Sequence, residues 1–386
     1  MKESSKNYFD FSPDRANTDS IKWTRYADRN IIPMWIADMD FQSPPPVLEA
    51  LHNRIKHGIF GYSKPSSQTE ESVVQWMADR HQWAIQPDWI VWLPGLVCAL
   101  NLVCRAFAES AEEILTNTPI YPPFLSAPQF SDRKLIRCPL KRENMYYSFD
   151  FQQFTQAAST KTKVFLLCSP HNPTGRIWTK EELETMAQIC LRNGSIICSD
   201  EIHADLVLSL DKKHIPLASL DREIAQRTIT LGSPSKTFNL PGLSCSFAII
   251  PNKQIRERFT HAMQGIIPHV NALGLTACRA AYSQGTSWLN DLIGYLRINR
   301  DLLDESVGQI PGLSMGPVEA TYLAWIDCRK LGQPNPAAFF EKAGVGLQDG
   351  AEFHAPGFVR LNFACPRSRL QEAIQRIQKV VTKQAL

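Results

Sequence analysis

The sequence predicts an α/β protein, with a large domain on a mostly parallel mixed sheet and a smaller α+β domain behind it. Three observations carry this. Between Ala108 and Ile250 short apolar runs alternate with helical patterns, the mark of parallel strands joined by crossover helices. Three of those runs end directly in polar residues, as expected where ligands lie beyond the carboxyl ends of the strands of an open sheet. From about residue 285 the alternation becomes irregular, which separates a smaller unit.

The elements follow in order. Ile32 to Phe41 is apolar but punctuated by Asp38 and Asp40, which suits an extended segment crossing a cleft. Ser43-Pro44-Pro45-Pro46 ends it, so residues 1–45 form an N-terminal segment assigned to the smaller domain and the rim of the cleft. Residues 46–284 form the large domain and 285–386 the C-terminal small domain. Pro46 to His57 has helical spacing, with proline allowed in the first turn. Gly58 to Ser63 is a loop carrying Tyr62, and Glu70 to Gln82 a second helix. Trp89 to Leu93 is a short strand, and Pro94-Gly95-Leu96-Val97 opens a helix that runs to about Ala108. Further strands are Glu113–Leu115, Val164–Cys168, Ser195–Ser199, Thr228–Leu231 and Ser246–Ile250, with a helix from Lys180 to Asn193 that stops at Gly194. In the tail, helices at 287–308 and 368–383 flank strands Tyr322–Ile326 and Phe358–Phe363.

Composition excludes several classes. The chain has 386 residues, enough for about two or three domains. Its composition is 44% hydrophobic and 20% charged with a net charge of +3, too small a surplus to argue for nucleic acid. Met1 to Asn7 lacks an apolar signal core, and no apolar run approaches the length of a membrane span, so a cytoplasmic protein with no membrane partner is expected. The ten cysteines show no C-x-x-C pair or zinc-like spacing and sit largely in apolar runs, where cysteine acts as a small hydrophobe; no metal is expected.

The chemistry gathers at the strand ends. Ser233-Pro234-Ser235-Lys236-Thr237-Phe238-Asn239 follows the strand at Thr228, and its one lysine, once desolvated, can offer a neutral amine to an aldehyde. Ser169-Pro170-His171-Asn172-Pro173-Thr174-Gly175 and Asp200-Glu201-Ile202-His203 follow two other strands. Each has a plainer reading: Asn172-Pro173 as a turn, Asp200 as a helix cap, and Asp200 with His203 as half of a metal site lacking further ligands. The glycine turn at Gly95 leaves helix N-terminal N–H groups free for a phosphate, although such turns often only connect a strand to a helix. Arg360 lies inside an apolar strand, and its fork suits a bidentate carboxylate.

Taken together, Asn172-Pro173-Thr174-Gly175, Asp200-Glu201, Ser233-x-x-Lys236 and Arg360 resemble the fold-type I pyridoxal-phosphate (PLP) enzymes of the aminotransferase class. Four stretches resemble its MalY/PatB branch of cystathionine β-lyases and related carbon–sulfur lyases: 33–41, 200–203, 233–239 and 357–366. The resemblance spans roughly residues 20 to 380. It implies that Lys236 carries PLP as a Schiff base and then removes the Cα proton. It implies that Asp200 pairs with the pyridine nitrogen, that Asn172 bonds the phenolic oxygen and that Tyr121 stacks on the ring. The phosphate falls to Gly95, Leu96, Val97, Ser233 and Ser235, with Tyr62 reaching in from the other subunit of a homodimer. Arg360 clamps the α-carboxylate of an amino-acid substrate, with Ala37, Tyr121 and Asn172 beside it.

Three departures stand out. His203 replaces a tyrosine common in the wider class and joins the cofactor set. Ser244 replaces a cation, which leaves more of the phosphate to the serines and the helix end. His354 replaces a more usual glycine after Phe353. Trp35, Ile36 and Met39 serve equally as substrate pocket or as core. The resemblance implies β-elimination from L-cystathionine or a related L-cysteine S-conjugate, giving a thiol, pyruvate and ammonia. The alternatives are an aminotransferase for apolar or aromatic amino acids and a regulatory protein that retains the fold.

Overall fold

Seven strands form the central sheet of the computed structural model, which describes residues 8–384; the reading of Met1 to Asn7 lies outside them. In chain order the strands are β1 (Ile90–Leu93), β2 (Glu113–Thr118), β3 (Lys134–Pro139), β4 (Thr162–Cys168), β5 (Ile196–Asp200), β6 (Thr228–Gly232) and β7 (Ser246–Ile249). Across the sheet they run β1-β7-β6-β5-β4-β2-β3. Only β7 runs against its neighbours, and every other pairing is parallel. The sheet is mixed but mostly parallel, as expected.

Its central strands are near-continuous apolar runs because both faces are covered. Alternate residues Val164, Leu166 and Cys168 of β4 pack with helix Leu96–Phe107 in one core. Phe165 and Leu167 point the other way, toward Trp178 and the apolar face of helix Lys180–Arg192. That helix begins with a full capping box, Thr179 with Glu182, which satisfies two of its otherwise orphaned N–H groups.

Several elements escape the periodicity. β3 is an edge strand whose exposed Lys134 and Arg137 interrupt its apolar residues, so it shows no clean alternation. Pro122–Phe130 is helical despite Pro128 inside it. Ala272–Gln284 has only a narrow polar strip, Thr276, Arg279 and Ser283, because most of it is buried, and packing more than amphipathicity holds it. β5 runs one residue beyond the expected Ser199, which makes Asp200 the last residue of the strand.

The second sheet is antiparallel and takes four strands: β8 (Ser314–Met315), β9 (Leu323–Asp327), β10 (Gln348–Asp349) and β11 (Phe358–Asn362), in the order β8-β9-β11-β10. Helices Thr286–Gly308 and Arg367–Gln384 pack together beside it. The N-terminal segment joins this region, since Ile32–Pro33 pairs in parallel with Val345–Gly346.

A charge cluster fixes the same segment. Lys22, only 1% exposed, lies 3.1 Å from the fully buried Asp40 carboxylate, which also meets Arg15 and Arg369, each at 2.9 Å. These three cations hold the Asp40 carboxyl below the ordinary carboxylate range in spite of burial. With its folded pKa depressed, Asp40 stabilises the fold above the unfolded value of about 4, and this is lost as pH falls through the folded pKa. Asp40→Ala removes the nearer carboxylate from the buried Lys22 ammonium and leaves it Asp38 at 3.5 Å, so urea unfolding at neutral pH is expected to show a loss of about 3 kcal/mol. The loss shrinks as acid protonates Asp40 in the parent protein.

Candidate active site

The carboxyl ends of β4, β5 and β6 meet at a cavity of about 210 Å³. β4 leads through Ser169 to Asn172, β5 ends on Asp200, and β6 leads into the short helix Pro234–Thr237 that carries Lys236. Gly95, Leu96, Val97, Tyr121, Asn172, Asp200, His203, Ser235 and Lys236 all line the cavity, with Ala37 at its edge. Most of the residues expected to act together are therefore neighbours, although they come from widely separated parts of the chain.

Burial sets the electrostatics. Lys236 is enclosed, and desolvation lowers its pKa to about 8, with Asp38 working in the opposite direction. About a tenth of the amine is thus neutral at pH 7 and about half at pH 8. Desolvation raises Asp200 to about 7, helped by neighbouring Glu201, and its side chain accepts one hydrogen bond, from the Ile202 N–H at 3.1 Å. His203 is pushed down to about 3 by burial and by the nearby cations Lys236 and Arg360, so its ring is neutral; its Nδ1 has no partner among the described residues.

These features fit the expected cofactor. A buried carboxylate held by one N–H calls for a second donor, which a protonated ring nitrogen provides. Gly95 opens helix Leu96–Phe107 with no side-chain cap, and a Cβ placed on it would meet no protein atom within 4 Å, so the space beside these N–H groups is open to a phosphate. Gly95 has an extended φ of −178°, so open space rather than conformation is what its missing side chain provides. The Ser235 hydroxyl borders the same space.

Three expected residues stand apart. Ser233 does not line the cavity: its Oγ donates to the Cys245 carbonyl at 2.8 Å and accepts from the Ser235 N–H, capping the lysine's helix. Tyr62 is fully exposed and outside the cavity. Arg360 lies behind Asn172, to whose Oδ1 its Nη1 donates at 2.9 Å, while Nη2 donates to the Trp35 carbonyl and to Gln348 Oε1. Its guanidinium rests 4.8 Å from the Phe353 ring centre, and burial lowers its pKa to about 10. Nε has no partner among the described residues. Met39 belongs to the buried core, and Trp35 and Ile36 do not line the cavity.

Tertiary structure adds groups that the sequence did not single out. Residues 34–41 cross the site as a strap whose backbone is held by side chains. Asn362 Nδ2 donates to the Ile36 and Asp38 carbonyls at 2.7 and 2.6 Å. Asn239 accepts from the Met39 N–H and donates to the Met39 and Phe41 carbonyls. Lys236 Nζ and the Tyr322 hydroxyl both donate to the Ala37 carbonyl, at 2.5 and 3.0 Å. Asn239 stood within the lysine stretch and offered a signal. Tyr322 offered none, because an aromatic opening an apolar strand reads as core.

The family model for aminotransferase class I and II matches residues 29–377. Cystathionine beta-lyase PatB of Bacillus subtilis is 36% identical, over 97% of this chain and 100% of its own length. The crystal structure of OvoB superposes with a TM-score of 0.95 at 44% identity, covering 97% of this chain and 99% of that one. The PLP-bound C-S lyase from Staphylococcus hominis superposes with a TM-score of 0.91 at 32% identity, covering 97% of each chain. With its fold, its cavity residues and its match over nearly the whole length, the chain belongs to the aminotransferase class I and II family.

Proposed function

We propose that this protein is a PLP-dependent carbon–sulfur β-lyase acting on L-cystathionine or a related L-cysteine S-conjugate. The observation that carries the reading is the convergence of Lys236, Asp200, Asn172 and the Gly95 helix end on one buried cavity, with Arg360 one layer behind. The names of the matched proteins, cystathionine beta-lyase and C-S lyase, choose the reaction.

Bound in the cavity, PLP supplies an electron sink for the pair left on Cα when its proton is removed. Asp200 keeps the ring nitrogen protonated, and its burial makes that partnership favourable. Asn172 has Oδ1 fixed by Arg360, so its Nδ2 is the side that donates to the phenolic oxygen. His203, neutral and with an unpaired Nδ1, sits where a tyrosine is common in the wider class. Tyr121 covers the ring face. Lys236, neutral in good part near pH 8, takes the Cα proton and holds it as an ammonium. With a thioether sulfur on Cβ, the Cα electron pair would form a double bond to Cβ as the carbon–sulfur bond breaks and the sulfur leaves as a thiolate, and hydrolysis of the remainder would give pyruvate and ammonia.

The phosphate falls to the N–H groups of Gly95, Leu96 and Val97 and to Ser235; Ser233 acts on it through Ser235, which it positions. Tyr62 is assigned to the neighbouring subunit of a homodimer. Its full exposure, beside exposed Ile55, Ile59 and Phe60, supports that reading. A solution mass of one chain by light scattering would remove Tyr62 from the site. The division at residues 45 and 284 belongs to the same reading. No helix among the described residues is long and apolar enough to cross a membrane.

Incubation with L-cystathionine is expected to release pyruvate and homocysteine with no keto acid added. Turnover that strictly requires a keto acid acceptor would identify an aminotransferase instead. A regulatory role without catalysis is disfavoured by the intact lysine, aspartate, asparagine and arginine.

A further inference from the structure

The strap over the site makes one contact that its structural role does not require. We propose that Tyr322 is a positioning residue for Lys236, acting through the Ala37 carbonyl that the two side chains share. The inference rests on Lys236 as the reactive lysine of the proposed function and goes beyond it.

The geometry is specific. The carbonyl oxygen receives Lys236 Nζ at 2.5 Å and the Tyr322 hydroxyl at 3.0 Å, which uses both of its lone pairs. Tyr322 is 1% exposed, and its ring meets His203 edge-on at 6.1 Å. The chain approaches it through Thr321, a β-branched residue held at φ +74°, a conformation that survives only where its surroundings impose it. The Thr321 N–H donates to the Leu206 carbonyl at 2.8 Å, and its Oγ1 accepts from the Leu323 N–H. Tyr322 is therefore set from its own backbone. The strap does not need it for attachment, because Asn362 and Asn239 already hold the residues on either side of Ala37.

A second donor on one acceptor weakens the first, because each reduces the negative charge available to the other. An ammonium gains more from a carbonyl than a neutral amine does. By taking part of the Ala37 oxygen, Tyr322 lessens the stabilisation of the Lys236 ammonium. The lysine keeps a fixed resting place without being trapped there in its charged form. The other influences on the amine are burial and Arg360, which favour the neutral form, and Asp38 and Asp200, which favour the charged one.

The test is the pH dependence of Lys236 acetylation in the full-length protein freed of cofactor, read by peptide mass spectrometry. Tyr322→Phe keeps the ring and removes the second donor. Its titration midpoint is expected to move upward by about half to one pH unit, and cofactor reattachment at neutral pH to slow in proportion. Tyr322→3-fluorotyrosine, with a more acidic hydroxyl and the same packing, is expected to move the midpoint downward. A merely structural tyrosine would change the unfolding curve and leave both midpoints in place. Unmoved midpoints, or movement in the same direction for both, overturn the proposal. If wild-type protein forms no borohydride-stable adduct on Lys236, the proposed function fails. An adduct with unmoved midpoints removes only Tyr322.

Discussion

Lys236→Ala is expected to abolish turnover and to leave a protein that no longer retains PLP through borohydride reduction and denaturation. Two proposed roles are lost at once: the covalent anchor of the cofactor and the base for the Cα proton. Loss of a positioned base alone costs about 10²–10⁴-fold in rate. The fold itself is expected to tolerate the change, because this half-buried amine makes one hydrogen bond, to the Ala37 carbonyl, and has no salt bridge among the described residues. Removing a partly desolvated amine breaks no ion pair. The measurement is pyruvate release together with the mass of the reduced protein. A variant that keeps a PLP adduct on another lysine and turns over at the parent rate would place the chemistry elsewhere.

Arg360→Ala is expected to act on substrate binding. A buried, charge-assisted contact to a carboxylate contributes about 2–5 kcal/mol, so kcat/KM falls by about 30- to 5000-fold. Cofactor absorbance is expected to persist, with a smaller change where Asn172 loses the donor that fixes its Oδ1. The guanidinium already serves Asn172, Trp35 and Gln348, so an arriving carboxylate must share or displace some of these contacts. Arg360→Lys is expected to recover little, because an ammonium cannot form the fork. Unchanged substrate affinity in the alanine variant would remove Arg360 from the site.

How far such expectations could be read from the chain depended on the type of element. β4 and β5 are buried on both faces, so unbroken apolar runs marked them, and the helix at Lys180 showed in its helical pattern and its stop at Gly194. β3 and helix Ala272–Gln284 escaped for opposite reasons. The first is an edge strand in which Lys134 and Arg137 interrupt the apolar residues, and the second is a largely buried helix whose polar strip is too narrow to mark its period. Within the site, Lys236, Asp200 and Asn172 could be found because each lies at or just after a strand end, where local sequence and ligand position coincide.

Ser233 shows where that logic stops. Two serines flanking a lysine look alike in sequence, yet the backbone turns Ser233 inward as a helix cap and leaves Ser235 facing the cavity. Tyr322 and Asn362 show the complementary limit. Their partners, Ala37, Ile36 and Asp38, lie roughly 285 to 326 residues away, and a backbone carbonyl carries no mark in the sequence.

The sequence by itself determined the class of sheet and placed the candidate lysine and its polar companions at the strand ends, because these follow from local periodicity and from the rule that ligands sit beyond parallel strands. Only the tertiary structure decided how the N-terminal strap is laid over Lys236, which serine faces the cavity and what Arg360 holds. Those contacts are long-range hydrogen bonds, many of them to backbone, and they exist only once the chain has closed on itself.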